Sequence, residues 1–329
     1  MAAAELDPVA AAHARCAEIT RASQSNLWLV SRALPQEKHA LFASSYASMR
    51  VIDDFVDDDF MGLAPEDRAT TRDMAVSKVA LWVEQAKAAK EGGFSIGGGS
   101  YEPEVFVALQ DTLSKSTLDV GPWSRLGAAL TADIEEKPLP DWDAFYQYCV
   151  GATVAPAEIF LYVLACKVSD GGYTHDPTLP LAEAGYEMGV FCYLTHIARD
   201  LKKDAMAGGD QLVTIPATLL SEFEATPEVL RAELSSGDLE RASKIVAALA
   251  AQARPFRERS EVYFAAILEN LAPREASVLK ALLGVYFRIH DIIEADPEKP
   301  VRGKGKVMGA TEKLAILARA GLAESLLVR

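Results

Sequence analysis

A formal charge of −14, from 33 basic and 47 acidic residues over 329 positions, has the wrong sign for a protein that neutralises phosphate backbones, so nucleic acid is excluded as a partner. Half of the residues (50%) are hydrophobic, enough for a substantial core. The four cysteines, Cys16, Cys149, Cys166 and Cys192, have neither CxxC nor Cys/His ligand spacing and read as buried reduced thiols, which makes a cytoplasmic compartment the expectation.

In chain order, residues 1–14 are alanine-rich but carry Glu5, Asp7 and His13 where a secretion signal needs a basic start and an apolar run. Residues 1–20 are expected to be a loosely ordered extension. The windows Lys38–Phe60, Arg68–Lys90 and Leu239–Ala272 then repeat apolar residues at intervals of three and four, which predicts helices. Between such windows, the stretches 92–100, 169–180 and 205–216 are rich in glycine, proline or polar residues and predict loops. No repeat of fixed period and no composition shift divides the chain, so residues 1–329 read as one all-α domain. The longest apolar run considered, Ile159–Cys166, falls short of the roughly 18 residues that a membrane span needs. The amphipathic stretch Lys313–Leu327 is expected to pack on the protein's own body rather than on a membrane surface. Neither the glycines at 97–99 nor Gly303-Lys304-Gly305-Lys306 has the context of a nucleotide-binding loop, and both read as flexible.

Two acidic clusters stand out, Asp53-Asp54-Phe55-Val56-Asp57 and Arg199-Asp200-Leu201-Lys202-Lys203-Asp204. On a helix, aspartates four residues apart share a face with Cβ atoms roughly 6 Å apart, and an acidic run of this kind is ordinarily a solvated surface. Two carboxylates at that distance repel by roughly 3 kcal/mol at an effective dielectric of 20, but by under about 1 kcal/mol in water. Helical spacing also aligns Tyr46 and Arg50 with Asp53 and Asp57, and Tyr193 and His196 with Asp200 and Asp204. A face built only for solvent has no need of tyrosine and arginine in line with its acids. Two such stripes facing one cavity would hold divalent cations, and hard cations such as magnesium take oxygen ligands and share them with substrate phosphates.

These residues resemble the squalene and phytoene synthases, the head-to-head prenyl transferases. The run Leu34-Pro35-Gln36-Glu37-Lys38 through Tyr46, Arg50 and Asp53 to Asp57 resembles the family's first signature, and Gly189 to Asp204 resembles its second. Tyr146-Gln147-Tyr148-Cys149-Val150-Gly151-Ala152-Thr153-Val154 is similar to a middle motif, Y-x-Y-x-x-A-G-T-V-G, and Tyr286 and Arg302 match a tyrosine and an arginine that help to hold substrate. The matches run from about Ser23 to Leu317.

The resemblance implies a single-domain isoprenoid-synthase bundle around a deep apolar cavity, with both aspartate motifs at its mouth. It implies Mg2+ on Asp53, Asp57, Asp200 and Asp204, with Asp54 ligating or supporting them, and Arg50, Arg199 and Arg302 on diphosphate charge. Tyr46, Tyr146 and Tyr286 would orient diphosphate or shield a carbocation, with Tyr148, Tyr193 and His196 also facing substrate. For Tyr146 and Tyr148 an ordinary core position is an equal alternative. The implied reaction joins two farnesyl or geranylgeranyl diphosphates through a cyclopropylcarbinyl diphosphate to a squalene- or phytoene-type product. NADPH use is not legible in the sequence. The resemblance also implies a monomer or homodimer with peripheral membrane contact for product release. His196 stands where the family usually has asparagine, Tyr193 where it has glutamine, and Lys202-Lys203 where it has Gly-Glu. These departures motivate a second reading, a terpene synthase or transferase that uses one prenyl diphosphate. A third is a non-catalytic relative acting in binding or assembly, which retention of all four principal aspartates opposes.

Overall fold

The computed structural model describes residues 7–97, 99–207, 214–303 and 307–322. The first half runs through α1 (Pro8–Ala22), α2 (Asn26–Ser31), α3 (Gln36–Asp54), α4 (Pro65–Glu91), α5 (Pro103–Leu113), α6 (Gly121–Ile134), α7 (Trp142–Cys149) and α8 (Ala155–Ala165). An antiparallel hairpin, β1 (Lys167–Ser169) with β2 (Gly172–Thr174), leads to α9 (Leu181–Met206), α10 (Ala217–Glu222) and α11 (Pro227–Ser236). The chain ends in α12 (Glu240–Leu268), α13 (Pro273–Ala295), α14 (Lys299–Arg302) and α15 (Ala310–Arg319). Two π-helical turns interrupt this pattern, Phe55–Phe60 after α3 and Val150–Val154 between α7 and α8.

The all-α expectation holds, and the three predicted helical windows fall within α3 with its π turn, within α4, and on α12. Residues 8–20 depart from the loose extension expected of them. Asp7 caps α1 by accepting from Val9 N–H, and Ala12 and Cys16 are buried against Ala47, Val105 and Ala108 of α3 and α5. Segment 169–180 is not wholly loop, because β2 finds its other partner far away in sequence: Tyr173 N–H donates to the Lys115 carbonyl, and Thr117 N–H to that of Tyr173. Lys304–Lys306 and residues 208–213, both expected as loop, and residues 323–327 of the amphipathic C-terminal stretch lie outside the described residues. The described part of that stretch is mostly α15, which buries Leu317 and packs Ile316 against Gly284 of α13.

Besides the small cluster under α1, two large apolar clusters make the core. One joins α2 to α8 and part of α13, around Trp82, Trp123, Phe106 and Tyr162, and the other joins α7, α9, α11, α12 and the rest of α13, around Phe145, Phe191 and Leu249. Cys192, Tyr286 and Phe287 border both. The continuous helix Trp142–Ala165, which contains an 18-residue window with a mean hydropathy of 1.6, is long and apolar enough to cross a membrane, contrary to the expectation from its apolar run. Its position accounts for that composition: it packs between α6 and α9, inside the protein. Glycine makes both contacts close. A Cβ on Gly151 would lie 2.2 Å from the Arg125 carbonyl oxygen of α6, and one on Gly189 of α9 would lie 3.2 Å from Val154 Cα.

At the end of the bundle away from the aspartates, Lys38 Nζ is buried, donates to the Leu164 carbonyl at 2.7 Å and pairs with Glu275 at 2.8 Å. The lysine of the first signature therefore ties α3, α8 and α13 together. Removing one partner of such a pair costs about 3–5 kcal/mol, because the other is left charged and buried.

Candidate active site

The first aspartate stripe leaves α3 and enters the π turn, which carries Asp57 and Asp58. Turns of this kind recur at functional sites, since the i→i−5 hydrogen bond, here Met61 N–H to the Val56 carbonyl, displaces side chains from the regular spiral. Asp53 and Asp57 remain neighbours. Solvent reaches Asp53, but protein surrounds it on most sides, and this burial together with the charge of Asp57 raises its pKa to about 7 against the relief offered by Arg50. The pKa of Asp57 is raised as well, by burial and then by Asp58. Arg50 lies 3.6 Å from Asp53 and pairs more closely with Asp54. Asp54 faces another way. With Arg50 it lines a cavity of about 500 Å³ beside Arg15 and Glu18 of α1 and Tyr101, a wall to which Asp53 and Asp57 do not contribute.

In α9 the electrostatics are reversed. Arg199 grips Asp200 with both arms of its fork, Nε to Oδ1 at 2.8 Å and Nη2 to Oδ2 at 2.6 Å, and His196 Nε2 lies 2.8 Å from Oδ2. An ionised carboxylate only accepts, so His196 donates. Burial pushes the Asp200 carboxyl up, but the hydrogen bonds from Arg199 and His196 outweigh it and hold the group well below the ordinary range. Asp204, one turn on, is raised by burial and by the charge of Asp200.

A residue outside both motifs joins them. Asp133, at the end of α6, accepts from the Tyr148 hydroxyl at 3.1 Å and is close enough to Asp57 and Asp53 to feel their charge. Burial is the main cause of its raised pKa, about 7, with the tyrosine hydrogen bond opposing and the two aspartates adding to it. Tyr148 in turn abuts Tyr193 of α9, with ring centroids 6.4 Å apart and the hydroxyls interacting. A chain of contacts therefore runs from Asp133 through Tyr148 to Tyr193 on the helix of His196 and Asp200, with Asp53 and Asp57 near enough to Asp133 to add their charge. Sequence reading missed Asp133, although a signal existed: it extends the buried stripe Leu126, Leu130 of α6, where a carboxylate is costly without a purpose.

The remaining expected residues divide. Tyr286 lies beside the second motif, sensing Arg199 and Asp200, and burial raises its pKa to about 12. Tyr46 stacks on Phe42 and donates to Ser25, the cap of α2, at 3.0 Å. Tyr146 points elsewhere, its hydroxyl accepting from Gln252 of α12 and its ring packed among Trp142, Phe145 and Phe256. Of the two tyrosines in the middle motif, then, Tyr148 meets the aspartates and Tyr146 fills the core. The reason is angular, since residues two apart on a helix point to opposite sides. Arg302 is not brought to the site either: it is 56% exposed and pairs with Asp296 at 3.1 Å and Glu298 at 2.8 Å. Lys202 donates to the Val301 carbonyl at 2.8 Å and anchors α14 rather than facing an anion.

Among the described residues no three acidic, histidine or cysteine side chains converge tightly enough to hold a metal alone. The donor chemistry still fits a hard divalent cation at the first motif, where Asp53 and Asp57 offer paired oxygens whose mutual repulsion a cation would relieve. Magnesium is ordinarily held in this way, by one or two carboxylates with the rest of its shell from water and phosphate. At the second motif Asp204 fits the same role, whereas both oxygens of Asp200 are already engaged.

An all-helical bundle with two acidic stripes joined through Tyr148 and Tyr193 defines a class of protein equipped to hold hard divalent cations. The comparisons narrow that class. The family model for squalene/phytoene synthase matches residues 20–311, and the chain belongs to that family, whose members are prenyl transferases. It is 26% identical over 310 residues to phytoene synthases of Mycobacterium bovis and Mycobacterium tuberculosis, covering 93% of this chain and 89% of each relative. It is 22% identical over 221 residues to 15-cis-phytoene synthase of Synechococcus elongatus, a match that spans 67% of this chain but only 65% of that protein. In fold it is similar to a dehydrosqualene synthase solved with ligand, with a TM-score of 0.68 and 17% identity, covering 96% of this chain and 98% of the other. It is also similar to squalene synthase HpnC from Alicyclobacillus acidocaldarius, with a TM-score of 0.62 and 20% identity, covering 88% and 95%.

Proposed function

We propose that this protein joins two prenyl diphosphates head to head, in a divalent-cation-dependent reaction, to a squalene- or phytoene-type hydrocarbon. The observation that supports the reading is the chain of contacts that links the two aspartate motifs, from Asp53 and Asp57 beside Asp133 through Tyr148 to Tyr193 on the helix of Asp200. Two acidic motifs on connected helices suit cation-bound diphosphate, and membership of the family favours two prenyl donors over one.

Asp53, Asp57 and Asp204 would hold magnesium, which when bound supplies positive charge to the departing diphosphate. Arg199 carries a guanidinium fork suited to phosphate oxygens. Tyr148 and Tyr193 would offer aromatic surface to an allylic carbocation and help to exclude water from it. Tyr286 of α13 lies near enough to Arg199 and Asp200 to feel their charge.

The test is incubation of the full chain with farnesyl or geranylgeranyl diphosphate, with and without Mg2+ and NADPH, followed by extraction and mass analysis of the apolar product. A Mg2+-dependent product with twice the carbon number of its substrate supports the reading. A product built from one prenyl unit overturns it. Dependence of the terminal product on NADPH separates reductive from eliminative outcomes in the same experiment.

A further inference from the structure

The geometry points to a latch: we propose that Arg199 and His196 keep Asp200 closed to cations until a diphosphate draws them away, so that the second motif loads its cation only with substrate. This rests on the reading above, that both motifs handle cations and diphosphate.

The fork of Arg199 covers one edge of the Asp200 carboxylate at 2.8 and 2.6 Å, and His196 adds a third donor at 2.8 Å. A metal arriving alone must break charge-assisted hydrogen bonds to reach these oxygens, and these are roughly twice as strong as neutral ones. A diphosphate presents the same arrangement of paired oxygens with more negative charge. It can therefore accept from Arg199 and His196 in place of Asp200, and the released carboxylate becomes a ligand at the moment when phosphate oxygens complete the cation's shell. Both donors have room to move, as His196 is 49% exposed and Arg199 is 25% exposed. The first motif has no such lock. Arg50 spends its close contact on Asp54 and stays 3.6 Å from Asp53. Cation and diphosphate binding at the second motif are then coupled, and by linkage each strengthens the other by the same factor.

The test is Mn2+ binding to the full chain by calorimetry, with and without saturating inorganic pyrophosphate. Without pyrophosphate, Asp200→Asn changes Mn2+ affinity by less than about 2-fold, whereas with pyrophosphate it weakens affinity about 10-fold, within the usual range of coupling between sites. Opening the latch by His196→Asn or Arg199→Gln makes Asp200 count without pyrophosphate: in either background Asp200→Asn weakens Mn2+ binding about 10-fold. Two backgrounds, each checked for helical content by circular dichroism, guard against one failing to fold. An Asp200→Asn effect of equal size with and without pyrophosphate overturns the latch. Asp53→Asn separates this from failure of the underlying reading: if it too leaves Mn2+ binding unchanged in both states, the motifs are not cation holders and both proposals fall.

Discussion

In α3 and its π turn, half-buried Asp53 feels the charge of Asp57 while Arg50 stays 3.6 Å away. In α9, Asp200 is neutralised by Arg199 on the neighbouring residue and His196 one turn back. Both helices carry aspartates four residues apart with an arginine nearby, so motif spacing does not distinguish them. What differs is where the arginine goes. Arg50 turns to Asp54, outside the Asp53–Asp57 pair, while Arg199 turns to the motif aspartate itself. A pair of under-compensated carboxylates is poised for a cation, and a compensated one is poised for exchange of partners.

The strongest way to break this contrast is to neutralise each motif in turn. Asp53→Asn should lower kcat/KM by about 10³-fold at limiting Mg2+, close to 4 kcal/mol of transition-state stabilisation. In the cation-free protein the two motifs should respond with opposite signs: Asp53→Asn relieves repulsion and raises Tm by about 1–3 °C, whereas Asp200→Asn strands Arg199 and lowers it by a similar amount. Calorimetric melts showing the same sign for both would refute the asymmetry.

The seam between the motifs is probed next. Tyr148→Phe removes the donor to Asp133 and should cost about 10-fold in kcat/KM, the scale of one buried hydrogen bond, while Tyr146→Phe should cost less than about 2-fold. Equal losses in steady-state assays would mean that the facing of the middle motif is not what matters.

A smaller effect follows from pH. The folded-state pKa of Asp53, about 7, lies above its ordinary value, so the folded chain keeps a proton that the unfolded chain has already lost. Cation-free stability therefore falls as pH rises from about 4 toward 7, and a cation must displace that proton to bind. The Tm gain from saturating Mg2+ should accordingly be larger at about pH 8 than at about pH 5.5, as differential scanning fluorimetry can show. The smallest effect is expected at Arg302→Ala. Its exposed pairs with Asp296 and Glu298 predict no measurable change in Tm and turnover within about 2-fold. A large loss of turnover there would restore the substrate role that the sequence assigned to it.

Much of this was legible in the chain. Apolar intervals of three and four locate helices because a helix must bury one stripe, and the tyrosine and arginine in line with the aspartates marked the two stripes apart from solvated faces. The pairing of β2 with residues 115–117, the packing of α1 and the identity of the joining residue were not legible, because each depends on contacts between segments far apart in sequence.

The sequence by itself determined an all-helical chain, two acidic stripes and the family to which they belong, since spacing along a helix fixes which side chains share a face. Only the tertiary structure decided that Tyr148 rather than Tyr146 meets the aspartates, that Asp133 joins the motifs, that Arg302 stays on the surface, and that Arg50 turns to Asp54 while Arg199 and His196 both engage Asp200. The physical reason is that charge state and hydrogen-bond partner depend on burial and on neighbours from other helices, which residue order alone does not encode.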